Sequence, residues 1–303
     1  MINSLKMLIT GASGFVGGHI YHQARQQSKT CAIYHQNPPK EMSGEWRQVD
    51  LTDSSEMQHV LDDVAPDVII HAAAVSNLDV CEESPDLANA VNVVTTARLA
   101  AYAREKAKRL IFISSDMVFD GSRGMYKETD ETYPISVYGR SKLMAERAVI
   151  SEKSNWVVVR TALVYGKPQT GGSSFSEWLE RKLRRNEQAH LYYDQFRTPV
   201  WVDNLAEAIL ELAAGDFTGV IHLAGANRID RFSFAKQYCL FGGFDDELLV
   251  AKSVHQDAHI APRPVDVSLS VDKARSILKT RLLSTEEGLR RLFSSASRSN
   301  NPR

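Results

Sequence analysis

The stretch KMLITGASGFVG, residues 6–17, decides the fold. A short apolar run ends at Thr10, a G-x-x-G-x-x-G turn follows, and a helical pattern begins at once. Gly11 permits the tight turn, Gly14 lets a pyrophosphate approach the backbone, and Gly17 lets the helix pack close to the strand. The first helical turn then points its free N–H groups at the phosphates. In this strand–turn–helix context the loop, with Ser13, Phe15 and Val16 among its residues, predicts a dinucleotide site.

Four more apolar runs follow in the first half, at residues 30–34, 67–71, 110–114 and 156–160. They are apolar almost throughout, as parallel strands covered on both faces are. Between the third and fourth strands, Ser84 is placed to cap a helix, Pro85 to open it and Asp86 to suit its positive end. Leu87, Ala90, Val91, Val94, Ala97 and Ala101 then share one apolar face. This alternation predicts an α/β fold: a doubly wound parallel sheet of the Rossmann type.

The rhythm changes after Gly166. Residues 167–174 form a polar, Gly-rich loop, expected to be mobile at a lobe junction. A basic amphipathic helix is expected at 175–187, another helix from Val202 to near Gly215, and a late strand at 219–223. We therefore expect a sheet domain of residues 1–166 plus about 200–226. A smaller, discontinuous substrate lobe takes about 167–199 and 227–293. The polar end, 294–303, is expected to fray.

Composition narrows the function. The chain has 303 residues, 36 Lys plus Arg and 37 Asp plus Glu, for a net charge of −1. A nucleic-acid binder would show a basic excess. No apolar run approaches the roughly 20 residues of a membrane span, and the start lacks the apolar region of a signal peptide. The three cysteines, Cys31, Cys81 and Cys239, form no framework, so a reducing cytoplasm is expected. His255 and His259 lie four apart without the Glu of a zincin pattern, so no metal site is expected. The basic run Arg181, Lys182, Arg184 and Arg185 reads as a solvated helix face.

A carboxylate ending the second strand would grip the ribose of NAD. Here Tyr34-His35-Gln36-Asn37 carries no acid. The expected cofactor is therefore NADP, with NAD left open, and with His35 or Lys40 as possible partners of a 2′-phosphate. Asp50 and Leu51 are placed to meet the adenine. Ala72, Ala73 and Ala74 are small where the nicotinamide half would run.

Tyr138 and Lys142 form a YxxxK pair, on one face of a helix if helical. A tyrosine near pKa 10 transfers protons poorly at neutral pH. A neighbouring ammonium would favour its phenolate. Tyr138 could then exchange a proton with a carbonyl group. Ser115 ends the fourth strand, at the carboxyl edge where such sheets hold ligands.

With these motifs the sequence resembles the extended short-chain dehydrogenase/reductase family, and within it the dTDP-4-dehydrorhamnose reductase group. The resembling segments are 11–17, 71–74, 86–92, 112–121, 138–142 and 160–166, with weaker likeness at 194–195 and 261–264. The resemblance implies a triad of Ser115, Tyr138 and Lys142, with Asp116 beside the substrate. It also makes Arg197 and Arg263 candidates for a diphosphate. The implied activity is NADP-preferring reduction of a nucleotide-linked 4-keto-6-deoxy sugar, and a homodimer is allowed. Two positions depart from the group, Met117 and Leu163, where an aromatic usually lies against the sugar. The alternatives are an epimerase or dehydratase on the same fold, and a regulatory subunit that binds NADP without turnover. One acid after Ser115, with no Glu following, argues against dehydration.

Overall fold

The computed structural model describes residues 5–39 and 41–299, the side chains of 295–299 apart; Lys40 lies outside. The first half runs β1 (Lys6–Thr10), α1 (Phe15–Ala24), β2 (Lys29–Tyr34), β3 (Glu45–Gln48), α2 (Ser54–Val64) and β4 (Val68–His71). It continues through α3 (Leu78–Glu83), α4 (Pro85–Ala88), a π-helical turn (Asn89–Val94) and α5 (Thr95–Glu105). Then come β5 (Arg109–Ser115), α6 (Val137–Ser151) and β6 (Trp156–Thr161).

The second half opens with β7 (Val164–Tyr165), α7 (Phe175–Arg184), β8 (Ala189–Tyr192), β9 (Phe196–Arg197), β10 (Val200–Trp201) and α8 (Val202–Ala214). It closes with β11 (Gly219–Leu223), β12 (Ile229–Asp230), α9 (Arg231–Gly242), β13 (Leu249–Lys252), α10 (Asp272–Ile277) and α11 (Thr285–Ser299). The backbone of α11 is thus helical through residues 294–299 of the expected fraying tail; residues 300–303 lie outside the described residues.

Among the described residues the central sheet has seven strands in the order β3-β2-β1-β4-β5-β6-β11. Every pairing in it is parallel. This is the doubly wound sheet that the sequence predicts. The chain winds outward from β1 to β3 and then returns to β4 on the other side. The crevice between β1 and β4 is the switch point where such sheets bind ligands. Met7, Ile9, Val68 and Ile70 face the layer that includes α8, while Leu8, Ile69, Leu110 and Phe112 face α2 and α5. A separate hydrophobic cluster is built on Leu179, Phe234, Tyr238 and Leu289, from α7, α9 and α11.

The helix after residue 84 corrects two expectations. Ser84 stands at the N-cap of α4, but its side chain makes no capping hydrogen bond. The apolar face read from Leu87 to Ala101 is not the buried one: Leu87 is 47% exposed and Val94 37%. Ala88, Asn92, Thr96 and Leu99 are buried instead. The physical reason is Asn92, whose side chain turns inward. Its Oδ1 accepts from Val75 N at 2.8 Å, and its Nδ2 donates to Val75 O at 3.0 Å and to Ser141 Oγ at 2.9 Å. The widened π turn around it lies where the reading assumes an unbroken 3.6-residue period.

Candidate active site

The turn after β1 enters α1 with Gly14 at its N-cap, no side-chain cap and no acid in the first turn. Those backbone donors remain free for an anion. Gly17 has no room for a side chain, since a Cβ there would come within 2.2 Å of Gly11 O. Above this turn lies a cleft of about 870 Å³. Gly11 and residues 13–17 line it, with His35, Asp50 and Leu51 at one end and residues 72–74 along it. Ser115, Tyr138 and Lys142 line the same cleft. The structure thus brings together the residues expected to hold a dinucleotide and those expected to do chemistry. An extended dinucleotide fits its free helix donors and small-residue floor.

His35 Nε2 lies 3.6 Å from Asp50 Oδ2. Hydrogen bonds from Thr52 hold the Asp50 carboxyl below its usual range, and His35 adds to this. His71 is a core group. It bonds Thr10 Oγ1 at 2.7 Å and Thr96 Oγ1 at 3.0 Å, and burial pushes it down to about 3.

Ser136 caps α6 by accepting from Gly139 N at 3.1 Å, which sets the register of Tyr138 and Lys142. Burial pushes the Tyr138 phenol up, opposed by a hydrogen bond with Ser115. The Lys142 Nζ sits 4.4 Å from the centre of the Phe112 ring. Burial pushes this amine down to about 7, opposed chiefly by Glu146.

Ser115 Oγ donates to Asp116 Oδ1 at 3.0 Å and accepts from Met117 N at 3.1 Å. Asp116 is buried, which raises its carboxyl, with Arg197 opposing. Its Oδ2 has no hydrogen-bond partner among the described residues, although Arg197 Nε stands 3.7 Å away. A buried acceptor left in this way asks for a donor from a ligand. Met117 packs into the core rather than standing free in the cleft.

The two arginines expected near a diphosphate are already engaged. Arg197 is 4% exposed and donates to Phe196 O at 2.6 Å and Pro264 O at 3.2 Å. Arg263 forks onto Asp79 at 2.9 and 2.8 Å. Sequence reading missed a third, Arg231, at the start of α9. Its Nε donates to Gln195 Oε1 at 3.2 Å, and its guanidinium stacks 4.6 Å from the Phe175 ring centre. No carboxylate pairs with it among the described residues. Burial, then Arg197, push it down to about 9. Only the fold brings residues 175, 195 and 231 together, so no local motif announces it.

His255 and His259 do not share a helix. His255 lies in a short turn, and His259 packs edge-on against Tyr192. Among the described residues no cluster could hold a metal ion. No helix among them is long and apolar enough to cross a membrane. Cys81 is buried, donates to Val75 O at 3.3 Å, and has its thiol raised by burial, as an inert cysteine would.

Similarity to known proteins follows the same lines. The chain is 34% identical to the dTDP-4-dehydrorhamnose reductase of Mycobacterium tuberculosis, over 88% of this chain and 85% of that one. It is 32% identical to the methionine adenosyltransferase 2 subunit beta of Rattus norvegicus, over 77% and 71%. The crystal structure of a Bacillus anthracis dTDP-4-dehydrorhamnose reductase in complex with NADP superposes with a TM-score of 0.86 at 26% identity, covering 96% and 99%. The family described as the RmlD substrate binding domain matches residues 5–298, and the chain belongs to that family.

Proposed function

We propose that the chain is an NADP-dependent oxidoreductase that reduces a nucleotide-linked 4-keto-6-deoxy sugar. The observation that carries this reading is the opening of Ser115, Tyr138 and Lys142 onto the cleft that begins at the glycine turn. The likeness to two dTDP-4-dehydrorhamnose reductases, one of them in complex with NADP, supports it.

NADPH bound along the cleft supplies a hydride to the ketone carbon. Gly14 and the first turn of α1 hold its pyrophosphate, and Lys142 its nicotinamide ribose. Tyr138, kept protonated by burial, gives its proton to the ketone oxygen as negative charge develops there. Ser115 bonds the same oxygen. The orphaned Asp116 Oδ2 accepts a sugar hydroxyl. Arg231, stacked and unpaired, faces the substrate diphosphate, with Arg197 and Arg263 nearby. An arginine fork suits a phosphate better than a lysine does.

In this reading the enzyme works in the cytoplasm, consistent with three buried free cysteines. Exposed Val94, outside the cleft lining, is a candidate for a homodimer contact. A second reading, regulation without turnover, draws on the likeness to the methionine adenosyltransferase beta subunit.

A substrate screen separates the two. Purified protein is mixed with NADPH and a panel of nucleotide 4-keto sugars while NADPH absorbance is followed. Oxidation with one of them is expected. Bound cofactor without turnover on any member would favour regulation.

A further inference from the structure

Behind the catalytic face lies a buried ion pair to which the mechanism gives no role. Glu146, on α6, is 1% exposed, and Arg160, on β6, is 5% exposed. Arg160 Nε donates to Glu146 Oε1 at 3.0 Å, and its Nη2 to Oε2 at 2.7 Å. Ser114 Oγ donates to the same Oε1 at 2.5 Å. Ser114 immediately precedes Ser115 on β5. Lys142 stands one helical turn before Glu146 and is 3% exposed. One carboxylate therefore touches the strand that presents the catalytic serine and stands one helical turn from the catalytic lysine.

We propose that Glu146 is a positioning residue: it fixes the end of β5 through Ser114, and its charge holds Lys142 as an ammonium. The surroundings of Lys142 leave this task to Glu146. On β5 it meets the Phe112 ring. His71, on β4, is kept neutral by burial. Cys81, on α3, has its thiol raised by burial and so contributes little charge at neutral pH. Asp116 lies beyond Ser115 and faces Arg197. Arg160 competes for Glu146 through Nε and Nη2, while its own Nη1 finds no hydrogen-bond partner among the described residues.

A purely structural role is the rival account, and a double variant tells them apart. Glu146→Gln alone leaves Arg160 buried and unpaired, which destabilises any protein. Glu146→Gln with Arg160→Met removes both charges, keeps an acceptor for Ser114, and leaves a flexible side chain against Phe119, over which Arg160 now lies. Replacing a buried ion pair by well-packed apolar groups is often neutral for stability.

The readout is the rate at which Lys142 is acylated by a small anhydride, followed by mass spectrometry across pH in the full chain. The double variant is expected to keep the wild-type melting temperature. Its Lys142 labelling midpoint should move down by about one pH unit or more, since the loss of an opposite charge has that size. A restored melting temperature with an unmoved midpoint would overturn the inference and leave Glu146 a partner of Arg160 alone. A double variant that melts early is replaced by Glu146→Gln with Arg160→Gln, which also removes both charges and is read below its melting temperature. A midpoint that moves down supports the inference, and an unmoved one overturns it.

The inference rests on the reductase reading only for the role of Lys142. The labelling needs no sugar, so a failed substrate screen and an unmoved midpoint are separate outcomes.

Discussion

Thr170 donates from its hydroxyl to the carbonyl oxygen of Ala12 at 3.1 Å. The bond lays the 167–174 segment onto the glycine turn. His19 Nε2 holds the base of the same segment through Lys167 O at 2.8 Å. In the structure this Gly-rich segment contacts the chain where the dinucleotide site begins.

Gly172 is the sensitive point of that contact. It has φ +75°, and a Cβ there would come within 2.6 Å of Phe15 N. Gly172→Ala adds left-handed strain of about 1–2 kcal/mol and pushes the segment off α1. NADPH affinity is expected to fall by about tenfold, the equivalent of about 1.4 kcal/mol. Calorimetric titration checks this, with the melting temperature as a control. Unchanged affinity would mean that the segment takes no part in holding the cofactor.

Cofactor preference follows from the end of β2. Residues 34–37 carry no acid, and the nearest carboxylate in the cleft, Asp50, faces His35. NADPH is therefore expected to bind more tightly than NADH. His35→Ala should narrow the gap by weakening NADPH alone. Titration of both cofactors decides it; equal or tighter NADH binding removes the claim.

Much of this site is legible in the sequence, for a physical reason. Glycine turns, apolar strands and a YxxxK pair each make their local geometry from neighbours in the chain, so spacing reveals them. What spacing does not reveal is made by distant residues. The inward turn of Asn92 depends on Val75 and Ser141, and it moves an apolar stripe to the surface. Lys142 meets the Phe112 ring because β5 lies beneath α6. Arg231 becomes notable only when Arg197 and Arg263 are seen to be engaged.

Arg231→Gln tests the substrate end. A hydrogen bond to a charged group contributes about 1.5–3 kcal/mol. The KM for the nucleotide sugar should rise by roughly ten- to hundredfold, while NADPH affinity stays within a few-fold. The melting temperature should hold or rise, since repulsion from Arg197 is relieved. A changed kcat with an unchanged KM would place Arg231 outside the substrate contact.

Tyr138→Phe removes the proton donor and keeps the ring. General acid catalysis contributes on the order of a hundred- to ten-thousand-fold, and kcat should fall by about that factor. NADPH should still bind, because the glycine turn and Lys142 are untouched. The loss belongs to the transition state and should spare substrate affinity. Near-normal turnover would make Tyr138 a packing residue.

Lys142 sets stability against activity. Burial pushes its amine from 10.5 down to about 7 in the folded protein. Between those values the unfolded chain holds the extra proton, so stability rises with pH across that window. Below about 7 both states are protonated, and the buried ammonium weighs fully against the fold. Lys142→Met keeps a stem of similar length against Phe112 and removes the charge. The variant is expected to melt higher than the wild type at pH 6, by at least about 2 °C. The difference should shrink as pH approaches 10, where the wild-type amine is neutral when folded. Turnover should be lost at every pH, because no ammonium remains to hold the nicotinamide ribose. Melting curves of the two proteins at pH 6, 8 and 10 test this directly. A variant that melts lower at pH 6 would mean that the charge of Lys142 is already balanced within the fold, and that the lysine stabilises the site it serves.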